Sequence, residues 1–191
     1  YVRLSVVSAS APDAIFGAFS RAFSGLDREE AGLTANTSAP AAGDVKNVVD
    51  KMDVAQGKLV LGFRTGDAGP LSGRIPQLVF TDLFGGGPYS RLFANVREKL
   101  SLCYYCAARA NYNKGILTVE SGVETQNAEK ARMEILRQLD VMKAGEFSDE
   151  ELAAAKLAKG DMARSAADTP ADTESWYASQ VFDPHPISPG E

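Results

Sequence analysis

The fold class this sequence predicts is α+β, a sandwich in which a mixed, mainly antiparallel sheet is covered on one face by helices. Three observations predict it. Short runs of β-branched and aromatic residues come in pairs split by turn residues, as hairpin strands do. Stretches with helical apolar spacing are grouped together and do not alternate one for one with strands. Hydrophobic residues make up 45% of the chain and charged residues 24%, a composition able to bury a core.

The elements follow in order. Val2 to Ser8 alternates and is β-branched, which predicts a strand. Ser10 with Asp13 makes a capping pattern, and Pro12 suits a first helical turn. The helix that follows places Ile15, Phe16, Phe19, Ala22 and Phe23 on one side, and Gly25 stops it. Residues 24–44 are small and polar, a surface loop. Two strand candidates come next, Val45 to Val54 and Lys58 to Arg64, split by Gln56-Gly57. Within the second, LVLGF is a nearly continuous apolar run, as in a central strand covered on both faces. Gly66 to Gly73 is turn-rich, and a helix from about Ile75 to Phe84 turns Leu78, Val79 and Leu83 inward.

The segment from Phe84 to Cys106, FGGGPYSRLFANVREKLSLCYYC, carries the most information. Gly85, Gly86 and Gly87 allow backbone angles that a side chain forbids, so a sharp reversal is expected there. Ser90 caps a short helix whose Leu92, Phe93, Val96 and Leu100 recur at helical spacing. Arg97 falls on its last turn, and Tyr104 follows seven residues later at the start of an aromatic strand. CYYCAARANYN and GILTVESGV then form a hairpin around Asn113-Lys114-Gly115. A long helix runs from about Gln126 to Lys143, with Ala128, Ala131, Ile135, Leu139 and Met142 on one face and Gly145 at its end. Ser148 and Glu151 form a capping box that opens an Ala-rich helix to about Ala166. Thr169-Pro170 caps a last helix through Val181.

The 191 residues suit a single domain: strand and helix over 1–23, loop over 24–44, sheet and helices over 45–182, and a tail over 183–191. The chain begins on Tyr1, not Met, and stops at SPGE without punctuation, so it is expected to be a piece of a longer protein. No run of eighteen apolar residues is present, which argues against a membrane span. A formal charge of −5 argues against general nucleic-acid binding. The charge is uneven. Residues 91–114 carry Arg91, Arg97, Lys99, Arg109 and Lys114 against Glu98 alone, whereas residues 144–191 carry ten acids against three bases. The acidic stretch reads as solvated helix surface. The basic stretch suits an acceptor-rich partner such as a peptide carbonyl or carboxylate.

The two cysteines, Cys103 and Cys106, form an isolated C-x-x-C. Redox motifs place the first Cys at a helix N-terminus, and zinc knuckles need a second ligand pair. In a strand, residues three apart point to opposite faces, so these thiols are expected not to meet. They read as buried structural cysteines in a reducing compartment, the cytoplasm.

The segment GGGPYSRLFANVREKLSLCYY resembles the pitrilysin and insulinase family of zinc metallopeptidases, in which a glycine-rich turn precedes a helix ending in R-E-K and a Tyr-bearing strand. VAQGKLVLGFRTG looks like the family's preceding strand, and the hairpin and later helices follow in the family's order over about residues 45–182. The resemblance implies a half-domain of the pitrilysin type. Such proteins pair a half carrying H-x-x-E-H, where zinc binds, with a homologous metal-free half. The chain's single histidine, His185, lies between two prolines in DPHPIS and is expected in an exposed loop, so no two-His site can be built. The chain fits the metal-free half, not active alone. Arg97 and Tyr104 match the pair that reaches the substrate there and supports the transition state; no metal ligand is assigned here. The implied zinc belongs to the partner half, in the same parent chain or another subunit, and the implied substrate is a peptide. Two alternatives remain open: an inactive structural or interaction subunit of the same fold, and a stand-alone peptide-binding domain. On composition alone, Arg97 is a surface ion-pair partner for Glu98 or for an acid of the tail, and Tyr104 a half-buried aromatic.

Overall fold

Gly115 closes the hairpin on which the fold is built. In the computed structural model, which describes residues 4–27, 43–66, 71–181 and 186–190, it adopts a φ of 59°. A side chain there would be strained by that angle and would also strike the Gly66 backbone. The Asn111 side chain accepts from the Lys114 N–H, fixing the turn between β2 (Cys103–Asn111) and β3 (Ile116–Val123). A third strand, β1 (Gly57–Arg64), pairs with the other edge of β3, so the sheet is antiparallel with order β1-β3-β2.

The described residues fall into two compact units, Asn36–Gly160 and Tyr1–Ala35 with Asp161–Glu191. In the first, one face of the sheet is covered by helices. Leu59, Leu61 and Phe63 of β1 share that face with Leu117, Val119, Ser121 and Val123 of β3 and with Cys106, Ala108 and Ala110 of β2. Over it lie α2 (Leu71–Gly85), against β2, and α3 (Ala128–Lys143), against β1. A π-helical segment, Phe93–Lys99, packs on both β2 and α3. Leu83, Phe84, Leu92, Val96 and Ile135 are essentially fully buried between the layers. Each such side chain contributes roughly 1.5–3 kcal/mol by leaving water.

Polar ties lock the layers. The Arg91 guanidinium forks onto both oxygens of Glu151 at 3.0 and 3.1 Å and reaches Gln138 Oε1 at 3.3 Å. Gln138, 1% exposed, also donates to Glu134 at 2.7 Å. Glu151 is meanwhile half of the expected capping box of α4 (Asp149–Ser165): it accepts from the Ser148 N–H at 2.8 Å while Ser148 Oγ accepts from the Glu151 N–H at 3.2 Å. Asp82 is buried at the end of α2, but Lys159 at 2.7 Å and the Tyr89 hydroxyl at 2.5 Å satisfy its two oxygens.

In the second unit, α1 (Pro12–Phe23) forms with Pro12 at its start, yet its cap is Ala11 without a side-chain bond, and no α1 residue is buried. The Ser10–Asp13 box is therefore not used, and Phe16 stands 75% exposed. α5 (Pro170–Ser179) has the expected Thr169 cap, which accepts from the Asp172 N–H at 3.1 Å. Its Trp176 indole N–H donates to the Ile187 carbonyl at 2.9 Å, and Gln180 accepts from the Ile187 N–H at 2.8 Å, so part of the expected tail is anchored. His185 and residues 28–42 lie outside the described residues.

Several expectations fail for one reason. Residues 4–8 and 45–54 form no strand, and Val45, Val48 and Val49 are more than 80% exposed. A strand needs a neighbour for its N–H and C=O groups, and among the described residues none pairs with these segments. Likewise β1 is an edge, not a centre: its exposure alternates, and Val60 on the outer face is 61% exposed. The glycine turn is corrected too. Among the described glycines only Gly66, Gly115 and Gly145 have positive φ, so Gly85 to Gly87 are not needed for left-handed angles. Gly85 is needed for space: a Cβ there would sit 2.5 Å from the Ala108 backbone nitrogen.

Candidate functional site

Arg97 and Tyr104 are brought together by two irregularities of the backbone. The first is the π-helical segment. Ser90 opens it, its Oγ accepting from the Phe93 N–H at 3.4 Å as a cap should. Ser101 closes it with a φ of 50°, left-handed for a residue that is not glycine. Its N–H caps the Arg97 carbonyl at 3.0 Å, and the Leu102 N–H caps Val96 at 3.1 Å. Wide turns of this kind concentrate at functional sites.

The second is a β-bulge. Cys103 faces Val123 and Tyr105 faces Gly122, so Tyr104 is an inserted residue with no partner on β3. A bulge re-aims the inserted side chain, and Tyr104 is 57% exposed. Its neighbour Tyr105 covers Gly122, where a Cβ would come within 2.5 Å of the ring.

The two residues line one cleft of about 360 Å³ with Glu98, Ser101, Cys103 and Glu124. Arg97 Nε donates to the Tyr104 carbonyl at 2.8 Å, which ties helix end to strand start. Its guanidinium lies 4.6 Å over the Phe93 ring, and Nη1 pairs with Glu98 at 3.1 Å. These contacts use two of the five guanidinium donors. The Tyr104 hydroxyl points toward Glu124 Oε1 at 3.5 Å, a long contact, while Gln126 and Asn127 hold the other oxygen of Glu124 at 2.9 and 3.4 Å. The ion pair with Glu98 and the placement in the cleft thus coexist.

The cysteines overturn an expectation. The same bulge sets Cys103 opposite Val123 and Cys106 opposite Ser121; those two are two apart on β3 and share a face. The two cysteines are therefore same-face neighbours on β2, contrary to that expectation. Cys106 lowers the Cys103 thiol to about 7, with Ser121 and the Arg97 charge acting the same way. Cys106 moves up in turn, first through the neighbouring Cys103 and then through burial. The basic stretch is also less available than its composition implies, because Arg91 is engaged inside the fold by Glu151. Of the cleft residues, Glu124, Ser101 and Cys103 were not legible as site residues; only Tyr104 and Arg97 carried a spacing signal.

The two-histidine zinc motif does not fit this chain. A single histidine cannot supply H-x-x-E-H. Among the described residues no three His, Cys, Asp or Glu side chains gather as a ligand set. Among them, too, no helix is long and apolar enough to cross a membrane.

Comparison with known proteins shows the family and the fold. The Peptidase M16 inactive domain family matches residues 1–159. The "Probable inactive metalloprotease YmfF" of Bacillus subtilis (strain 168) is 43% identical over 125 residues, 65% of this chain and 29% of that protein. A conserved protein from Enterococcus faecalis V583 superposes with a TM-score of 0.79 at 23% identity, over 93% of this chain and 42% of that one. A protease from Helicobacter pylori gives 0.72 at 18% identity, over 90% and 43%. The chain thus spans less than half the length of each of these relatives. The fold, the absence of a two-histidine motif and the match over residues 1–159 together make this chain a member of the Peptidase M16 inactive domain family, akin to the metal-free half of the pitrilysin and insulinase metallopeptidases.

Proposed function

We propose that this chain is the non-catalytic half of a pitrilysin-like peptidase and that Arg97 and Tyr104 bind a peptide and steady its transition state. The observation that carries the reading is the bulge, which aims Tyr104 into the cleft that Arg97 lines. Hydrolysis of a peptide builds negative charge on the former carbonyl oxygen, and preorganised donors there lower the barrier. A phenol donates one hydrogen bond to such an oxygen, and a guanidinium can fork onto a neighbouring carbonyl or carboxylate. The helix end and strand start hold both groups with little freedom, as positioning requires. Zinc would be held by a homologous half, in the same parent chain or in a partner subunit. The free thiols suit a reducing compartment such as the cytoplasm.

In the full-length protein with its partner half, Arg97→Ala and Tyr104→Phe are each expected to cut peptide hydrolysis about 10²-fold or more, by analogy with oxyanion donors. Unchanged turnover in both variants refutes the reading. The name of the Bacillus relative favours a second reading, an inactive interaction subunit. Absence of H-x-x-E-H from both the parent chain and its partners would select it.

A further inference from the structure

We infer that Cys103 and Cys106 form a peroxide-reactive dithiol at the wall of the cleft, with Cys103 as the attacking thiol and Cys106 as the resolving one. Three features assign these roles. The bulge at Tyr104 puts both cysteines on the helix-covered face of β2, at adjacent same-face positions opposite Val123 and Ser121. Cys103 is partly exposed and lines the cleft, whereas Cys106 is 6% exposed behind it. The charges facing the cleft are Arg97, Glu98 and Glu124; the neighbouring Cys106 first, then Ser121 and the Arg97 charge, lower the Cys103 thiol to about 7. A thiolate fraction near one half at neutral pH joins good nucleophilicity to abundance.

The chemistry balances with hydrogen peroxide as oxidant. The Cys103 thiolate attacks one peroxide oxygen, the O–O bond breaks, and the leaving hydroxide takes up a proton, giving a sulfenic acid and one water. The Cys106 thiol then attacks that sulfur. An S–S bond forms, the S–O bond breaks, and a second water leaves with the Cys106 proton. Both sulfurs are oxidised and the peroxide is reduced. Because Cys103 adjoins Tyr104, whose carbonyl holds Arg97, the bond forms at the backbone that orders the cleft. This inference stands apart from the peptidase reading.

The test uses the reduced full-length protein and hydrogen peroxide, followed by peptide mass mapping. The expected product is a Cys103–Cys106 linked peptide about 2 Da lighter than the dithiol. Cys106→Ser should halt the reaction at a Cys103 sulfenic acid that a 1,3-dione traps. Iodoacetamide should label Cys103 in the unmodified protein with a half-point near pH 7, as the thiolate fraction requires. Arg97→Ala should move that half-point upward. Labelling of Cys103 with the half-point of an ordinary thiol, about 8.5, or peroxide oxidation without the linked peptide, overturns the proposal.

Discussion

The two edge strands of the sheet pair with the same central strand, and only one of them is regular. β1 matches β3 through an unbroken register from Gly57–Val123 to Arg64–Ile116. Its inward residues fill the core and its outward ones meet solvent. β2 carries an inserted residue at its first turn of the ladder, and every candidate site feature gathers there: Tyr104, the Arg97 contact, the dithiol and the cleft. Regular pairing makes core. Departure from it turns side chains into the cleft, at a cost in local strain that surrounding packing must cover.

Glycine substitutions test this contrast most strongly. On the irregular side, Gly85→Ala forces a Cβ to 2.5 Å from the Ala108 backbone and is expected to cost about 1–3 kcal/mol in denaturant unfolding. On the regular side, Gly62 of β1 has nothing within 4 Å, so Gly62→Ala should be neutral or stabilise by a few tenths up to about 1 kcal/mol. Equal losses at both sites would remove the distinction between the edges.

The arginines of the π-helical region separate stability from function. Arg91→Ala abandons a charged, partly buried fork and should cost about 1.5–3 kcal/mol. Arg97, with a side chain 40% exposed, should cost about 1 kcal/mol or less on removal, although its loss is the one expected to affect peptide hydrolysis. A reversed order, read from urea midpoints, would make Arg97 a structural residue.

A smaller effect lies in pH. Burial, with help from the bond to Asp82, pushes the Tyr89 phenol up to about 12. A folded value above the unfolded one of about 10 means that the neutral phenol's contribution is fully present below pH 10. It is lost as pH rises through about 12. Tyr89→Phe should flatten the fall in stability across that window, and an unchanged slope would show that Tyr89 does not titrate with unfolding.

Much of this was legible in the residues themselves. The capping box at Ser148 and Glu151, the Thr169 cap and the Gly115 turn form as their local chemistry requires, because each is satisfied within a few residues. Arg97 and Tyr104 were visible through their spacing. The bulge was not, because nothing in LCYYCAA marks which residue will lack a partner. The face of Cys103 followed from that unread step, since a one-residue shift of register inverts every side chain before it. Val45 to Val54 failed in the opposite sense: β-branched alternation shows which residues suit a sheet but not whether a neighbouring edge is free to receive them.

The sequence by itself determined the helices, the hairpin, the α+β class and the inability to hold zinc through two histidines. These rest on local turn and cap chemistry and on which ligands exist at all. Tertiary structure alone decided which strands find partners, that Gly85 is needed for close approach, and that Tyr104 is the residue left over in the ladder. Those outcomes depend on pairing between segments far apart in the chain, and pairing is settled by the competition of whole faces for one core.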